Sequence, residues 1–166
     1  NVQVKSIPNN LKNIRELENS TVLIFTGFQR KASSVEKGKI KNIHKHENIY
    51  RKISKLTDDA EDLLSSSDNI VRDFSELIKE YWSLKKNLSN KVSNSKINNL
   101  ISYCLRNGAD SSKILGAGNG GFLLCLVNKK NKKYFLNKLK NKLIVPIKFE
   151  NLGSQLIYYS SDEQVK

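Results

Sequence analysis

Residues 115–124 read LGAGNGGFLL, four glycines and an alanine around one asparagine, running directly into an apolar stretch. Glycine adopts positive φ without a steric penalty and leaves no Cβ in the way of an approaching group. Consecutive N–H groups in such a turn can form an anion-binding nest. The stretch therefore reads either as a loop shaped for a phosphate or as a plain turn ahead of a buried strand. Pattern rules favour the plain turn. A P-loop ends in Gly-Lys-Ser/Thr and opens a helix, and the dinucleotide fingerprint likewise follows a strand and opens a helix. Here the direction is expected to be reversed, from a helix ending near Gly108 into a strand starting at Phe122.

Outward from the loop, FLLCLV (122–127) and STVLIFTG (20–27) are dense apolar runs that read as buried strands, the second stopped at Gly27. NVQVKSIP (1–8) alternates like a short strand, followed by a polar connection. Three helices are expected next. The first carries Ile40, Ile43, Tyr50, Ile53, Leu56, Ala60, Leu63 and Leu64 at steps of three and four. The second follows the capping residues SSSDN (65–69) and buries Ile70, Phe74, Leu77, Ile78, Tyr81 and Trp82. The third starts near Asn94 or Ser95, buries Ile97, Leu100, Ile101, Cys104 and Leu105, and stops at Asn107-Gly108. KKNKKYFLNKLKNKL (129–143) reads as a lysine-rich helix anchored by Tyr134, Phe135, Leu136, Leu139 and Leu143. IVPIKF (144–149) and QLIYYS (155–160) read as a strand pair joined by ENLGS, with Pro146 favouring an edge. The fold class is α+β: one domain, residues 1–166, with a mainly antiparallel sheet of about four strands packed by helices.

The chain has 166 residues and a formal net charge of +13, with 38% hydrophobic and 27% charged residues. That excess permits an anionic partner without choosing one. Cys104 and Cys125 have no paired spacing and suit buried thiols in a reducing compartment rather than a disulfide or zinc site. No stretch has the length of a transmembrane helix and no signal pattern opens the chain, so a cytoplasmic location and no membrane partner are expected. No methionine occurs anywhere, which suggests a fragment or a processed product. In TGFQRKASS (26–34), Arg30 could hold a phosphate or carboxylate and Ser33 and Ser34 could donate to it, but the residues alone favour a strand-to-helix turn capped by Ser33 or Ser34. His44 and His46, two apart on a helix, face different ways and do not make a metal site. DDAED (58–62) reads as a solvated face. The lysines at 129, 130, 132, 133, 138, 140 and 142 form a basic patch. Nucleic acid is disfavoured there, because Tyr134 and Phe135 fall on the apolar stripe.

Four segments together carry a resemblance: VLIFTGFQRKASS (22–34), YWSLKKNLSNKVSN (81–94), ILGAGNGGFLL (114–124) and VPIKFENLGSQLIYY (145–159). LGAGNGGFLL resembles the third motif of the GHMP kinase superfamily, and the order of the segments is similar to that of its heptose 7-phosphate kinase-like sugar kinases. The resemblance reverses the preference for a plain turn. It implies a ferredoxin-like sheet with helical additions, forming the C-terminal portion of a two-domain kinase whose N-terminal ATP-binding portion is absent. It implies ATP and Mg2+ in the full-length enzyme, none bound to this fragment, no metal site and no catalytic residue in this chain, and no activity from the chain alone. The expected partners are a sugar phosphate and the protein's own N-terminal domain. Gly116, Ala117, Gly118, Asn119, Gly120 and Gly121 match the motif that lies near phosphate and substrate, and Arg30 and Ser33 fall on the sugar-phosphate side. Asn119 replaces a glycine of the usual run. It is the least costly substitute if positive φ is required, an obstacle if a ligand must approach, and a hint of a degenerate, non-catalytic member. The implied reaction transfers the γ-phosphoryl of ATP to a heptose 7-phosphate at the anomeric hydroxyl, for surface polysaccharide precursors. The alternative is a non-catalytic basic binding module for nucleic acid or anionic surfaces.

Overall fold

The computed structural model describes residues 10–28 and 44–150. Among the described residues, asparagines start four of the five α-helices, which follows from the side-chain oxygen of asparagine satisfying an otherwise orphaned helix N–H. Asn10 accepts from Asn13 at α1 (Leu11–Ser20), and Asn69 accepts from Arg72 at α3 (Ile70–Asn87). Asn94 accepts from Ile97 at α4 (Ser95–Arg106), and Asn128 accepts from Asn131 at α5 (Lys129–Lys138). Helix α2 (Glu47–Ser66) instead follows a 3-10 turn over His44–His46. The polar connection expected after the first strand is in fact α1. Its apolar positions are few, but Leu17 is buried and Asn13 donates to the carbonyls of Leu64 and Ser67 at 3.3 and 3.0 Å. Packing onto α2 supplies what its own sequence lacks.

The strands are β1 (Thr21–Phe25), β2 (Ser111–Ile114), β3 (Phe122–Leu126) and β4 (Ile144–Val145). They form one antiparallel sheet in the order β2-β3-β1-β4. The chain passes from β1 to β2 and β3 by way of α2, α3 and α4, then through α5 to β4. That is the split β-α-β arrangement of a ferredoxin-like sheet, with extra helices in its first crossover. Among the described residues β4 is an edge strand, as Pro146 led one to expect, and it is only two residues long because proline has no N–H to donate.

Period-two alternation sends the sheet's residues into two cores. Val22, Ile24, Leu123 and Cys125 meet Ile97, Ile101 and Cys104 of α4 and Phe135 of α5, together with Leu139. Leu126 meets Leu17, Ile70 and Ile78, with Phe74 and Leu124 packed against them. Burying each large aliphatic side chain is worth about 1.5–3 kcal/mol, so a sheet covered on both faces is well supported. Three expected core residues are exposed instead: Leu105, Tyr134 and Leu143. Leu105 and Tyr134 each adjoin a fully buried residue, Cys104 and Phe135, and neighbours on a helix point about 100° apart. Leu143 lies beyond the end of α5.

Cys104 and Cys125 are free and buried, as expected. Ser112 Oγ lies 2.9 Å from Cys125 Sγ. A hydrogen bond with Cys125 holds the Cys104 thiol below its ordinary range, while burial pushes Cys125 well above. Among the described residues, no helix is long and apolar enough to cross a membrane. The NVQVKSIP and QLIYYS strands, and Ile40 and Ile43, lie outside the described residues.

Candidate functional site

The glycine segment does not lead from a helix into a strand, as its flanks suggested. Strand β2 intervenes, and residues 115–121 form the turn of the β2–β3 hairpin, closed by Leu115 N–H donating to the Phe122 carbonyl at 2.9 Å. SSKI is too short and too polar to register as a strand by periodicity alone. It forms because β3 offers an unpaired edge beside it.

Within the turn, the close approach that glycine permits is made largely by the protein's own backbone. A Cβ on Gly118 would stand 2.5 Å from the Val92 carbonyl oxygen, and one on Gly120 would stand 2.8 Å from that of Phe28. Gly116 and Gly121 differ. Both have positive φ, 66° and 79°, and a Cβ on either would meet nothing within 4 Å. These two glycines leave space where an outside group could approach.

Asn119 sits at φ 60°, alone at positive φ among the described non-glycine residues. Asparagine tolerates this region better than other side chains, which accounts for its presence in a glycine run. Its N–H donates to the Val92 carbonyl at 2.7 Å, and its side-chain oxygen accepts from Asn94 Nδ2. The side chain is therefore spent on holding the loop against the start of α4.

Two other segments grip the same turn. Gly121 N–H donates to Phe28 at 2.9 Å, and the Gly121 carbonyl accepts from both Thr26 N–H and Thr26 Oγ1. Lys85, in the last turn of α3, donates to the Gly116 carbonyl at 2.5 Å. Lys113, on the strand entering the turn, lies 4.2 Å from the Tyr81 ring centroid, and burial holds its pKa below the ordinary 10.5. Three of the four resembling segments thus converge in space, those containing Thr26 and Phe28, residues 81–94, and the loop itself. Lys85 and Val92 were not singled out from the sequence, and Asn94 was named only as a helix start. Nothing there separates Lys85 from its exposed neighbour Lys86, since the difference lies in which side of α3 faces the loop.

Arg30 and Ser33 lie outside the described residues. His44 and His46 stand at the start of α2, and among the described residues no group of three His, Cys, Asp or Glu side chains could hold a metal. The lysine helix α5 follows the opposite end of β3 from the glycine turn. Contrary to expectation, Tyr134 is exposed on it, with Lys138 Nζ 5.3 Å from its ring.

Known proteins share this fold. Residues 60–145 match the family model described as GHMP kinases C terminal. The chain is 32% identical, over 134 residues, to the D-glycero-alpha-D-manno-heptose 7-phosphate kinase of Campylobacter jejuni, an alignment covering 76% of this chain and 37% of that protein. Among solved structures, the mevalonate kinase of Methanococcus jannaschii superposes with a TM-score of 0.62 at 24% identity, covering 87% of this chain and 42% of its own. A D-glycero-D-manno-heptose 1-phosphate kinase from Bacteroides thetaiotaomicron superposes with a TM-score of 0.58 at 20% identity, covering 87% of this chain and 37% of its own. At these identities the two structures establish the shared fold. The chain spans roughly two-fifths of the length of each of these relatives.

Proposed function

Because this chain belongs to the GHMP kinase family, as its C-terminal domain, we propose that it forms the acceptor-side wall of the active-site cleft in a sugar kinase acting on a heptose 7-phosphate. The observation that carries this reading is the glycine turn, held rigid from three segments yet open at Gly116 and Gly121. The name of the Campylobacter relative supports the heptose phosphate as acceptor. Residues 1–166 act as one domain, partnered by an N-terminal portion of the same protein.

Phosphoryl transfer depends mainly on positioning and charge stabilisation, so a domain without a nucleophile or base can still determine the rate. Gly116 and Gly121 admit the acceptor without a side chain in its path. Gly118, Asn119 and Gly120 fix the turn, and Ala117 lies between Gly116 and Gly118. Arg30 and Ser33 are assigned to the sugar-phosphate side. Bound ATP–Mg2+ would supply the phosphoryl group and neutralise its charge. The ion and triphosphate are assigned to the N-terminal portion and the acceptor to this one. The anomeric hydroxyl is the assigned target, and a cytoplasmic setting fits two free thiols.

The test is ATP-dependent phosphorylation of heptose 7-phosphate by the protein containing this chain and its N-terminal portion, with the product read by 31P NMR. An anomeric phosphate signal is expected, together with no transfer by the chain alone. Transfer to mevalonate but not to the heptose phosphate would overturn the assignment. The exposed Tyr134 among the lysines of α5 favours a second reading, a basic surface for nucleic acid. That reading requires an affinity that falls steeply with salt.

A further inference from the structure

Lys85 is only 6% exposed, although lysine is among the residues least often buried. A cation near the C-terminus of a helix gains from the helix dipole, but exposed Lys86 gains that equally without leaving water. Desolvating an ammonium is costly, and an apolar side chain of similar volume would pack at that position without the penalty. The burial of Lys85 therefore calls for a polar role.

Its Nζ donates to the Gly116 carbonyl at 2.5 Å. It also lies 5.5 Å from the ring centroid of Tyr81, one turn earlier on α3, and Lys113 of β2 stands over the same ring. Gly116 has neither a side chain nor a neighbour at its Cβ position to hold it at φ 66°. The second half of the turn is tied by backbone bonds from Asn119 and Gly121. The first half is gripped by Lys85.

We propose that Lys85 is the positioning residue of the glycine turn. It holds the carbonyl of Gly116 back towards α3, so that the open face of Gly116 keeps a fixed distance from the acceptor. It also places a fixed positive charge behind an edge at which a phosphorylated sugar binds. The role in catalysis rests on the acceptor-wall reading above, whereas the grip on the turn does not.

The two are separated by two readouts on the intact protein. Hydrogen exchange of the 115–121 peptide needs no substrate. It is expected to accelerate at least tenfold in Lys85→Met, with the α4 peptide unchanged, and to return towards the wild-type rate in Lys85→Arg, which restores a charged donor. An unchanged rate in folded Lys85→Met overturns the proposal. Should that variant fail to fold, the wild-type protein is tested by 15N NMR for a slowly exchanging lysine ammonium coupled to the Gly116 carbonyl carbon. Detecting the coupling supports the grip, and its absence overturns it. In the phosphotransfer assay, kcat for Lys85→Met is expected to fall about tenfold to a hundredfold, with the KM for ATP unchanged. A looser turn with undiminished turnover would retain the grip and remove its catalytic role. No transfer from wild-type protein to any sugar phosphate would defeat the acceptor-wall reading while leaving the exchange result intact.

Discussion

Gly116 and Gly118 are two positions apart, and they differ in what faces the missing Cβ. At Gly118 an added methyl group would stand 2.5 Å from a backbone oxygen, at φ 110°. At Gly116 it would meet open space and incur only the left-handed penalty of about 1–2 kcal/mol. Gly118→Ala is therefore expected to lower unfolding free energy by about 2–4 kcal/mol, combining overlap and strain, and clearly more than Gly116→Ala. Urea denaturation of both variants measures this, and equal losses would refute the division of the turn into packed and open glycines. Lys113 makes a second prediction at this scale. Its pKa is lowered by burial, so between that value and the ordinary 10.5 the unfolded chain binds more protons than the folded one. Stability contributed by this group therefore rises with pH through that window. Below the window, the folded state bears the whole desolvation penalty. Lys113→Met is expected to melt above wild type at neutral pH, by a margin that shrinks as pH approaches 10.5. A margin independent of pH would show that packing, not charge, is responsible.

Among the elements, α4 shows how one residue can serve both a helix and a site. Asn94 Oδ1 caps the helix by accepting from Ile97 N–H at 3.0 Å, and its Nδ2 donates to Asn119. Asn94→Ala should cost about 1 kcal/mol for the cap plus the loss of the tie. Asn94→Ser keeps a capping oxygen and loses only the tie. The expected order of melting temperatures is wild type, Asn94→Ser, Asn94→Ala, with hydrogen exchange at 115–121 accelerated in both variants. Undisturbed exchange in Asn94→Ser would show that the side-chain tie does not hold the turn. The cap itself was legible in the sequence to within one residue, as Asn94 or Ser95, because the signal is local: a polar residue just before the first buried position. Its second bond was not, since it spans 25 residues. The same contrast separates α3, legible from its apolar spacing, from α1. Leu11, Ile14 and Leu17 alone do not establish a helix, and α1 is stabilised by Asn13 reaching across to α2.

Across the whole molecule, burial and pairing set a hierarchy of opening. β3 is paired on both sides and carries Leu123 and Cys125 at 0% exposure, whereas β4 is a two-residue edge. Amides of β3 and β1 are expected to exchange slowest, near the global unfolding rate, and those of β4 fastest. Protection in β4 equal to that in β3 would contradict the described sheet order. The sequence by itself determined the α+β class, the buried strands at 21–25 and 122–126, most helix starts, and the special character of LGAGNGG. Those features rest on local chemistry: side-chain period, capping oxygens, and the conformational freedom of glycine. Tertiary structure alone decided that SSKI is a strand, that Tyr134 faces solvent, that Asn119 points into α4, and that Lys85 reaches the turn from 31 residues away. Each of these depends on which surfaces meet after the chain has closed on itself. A backbone oxygen or a sheet edge brought near by folding leaves no trace in the residues that flank it.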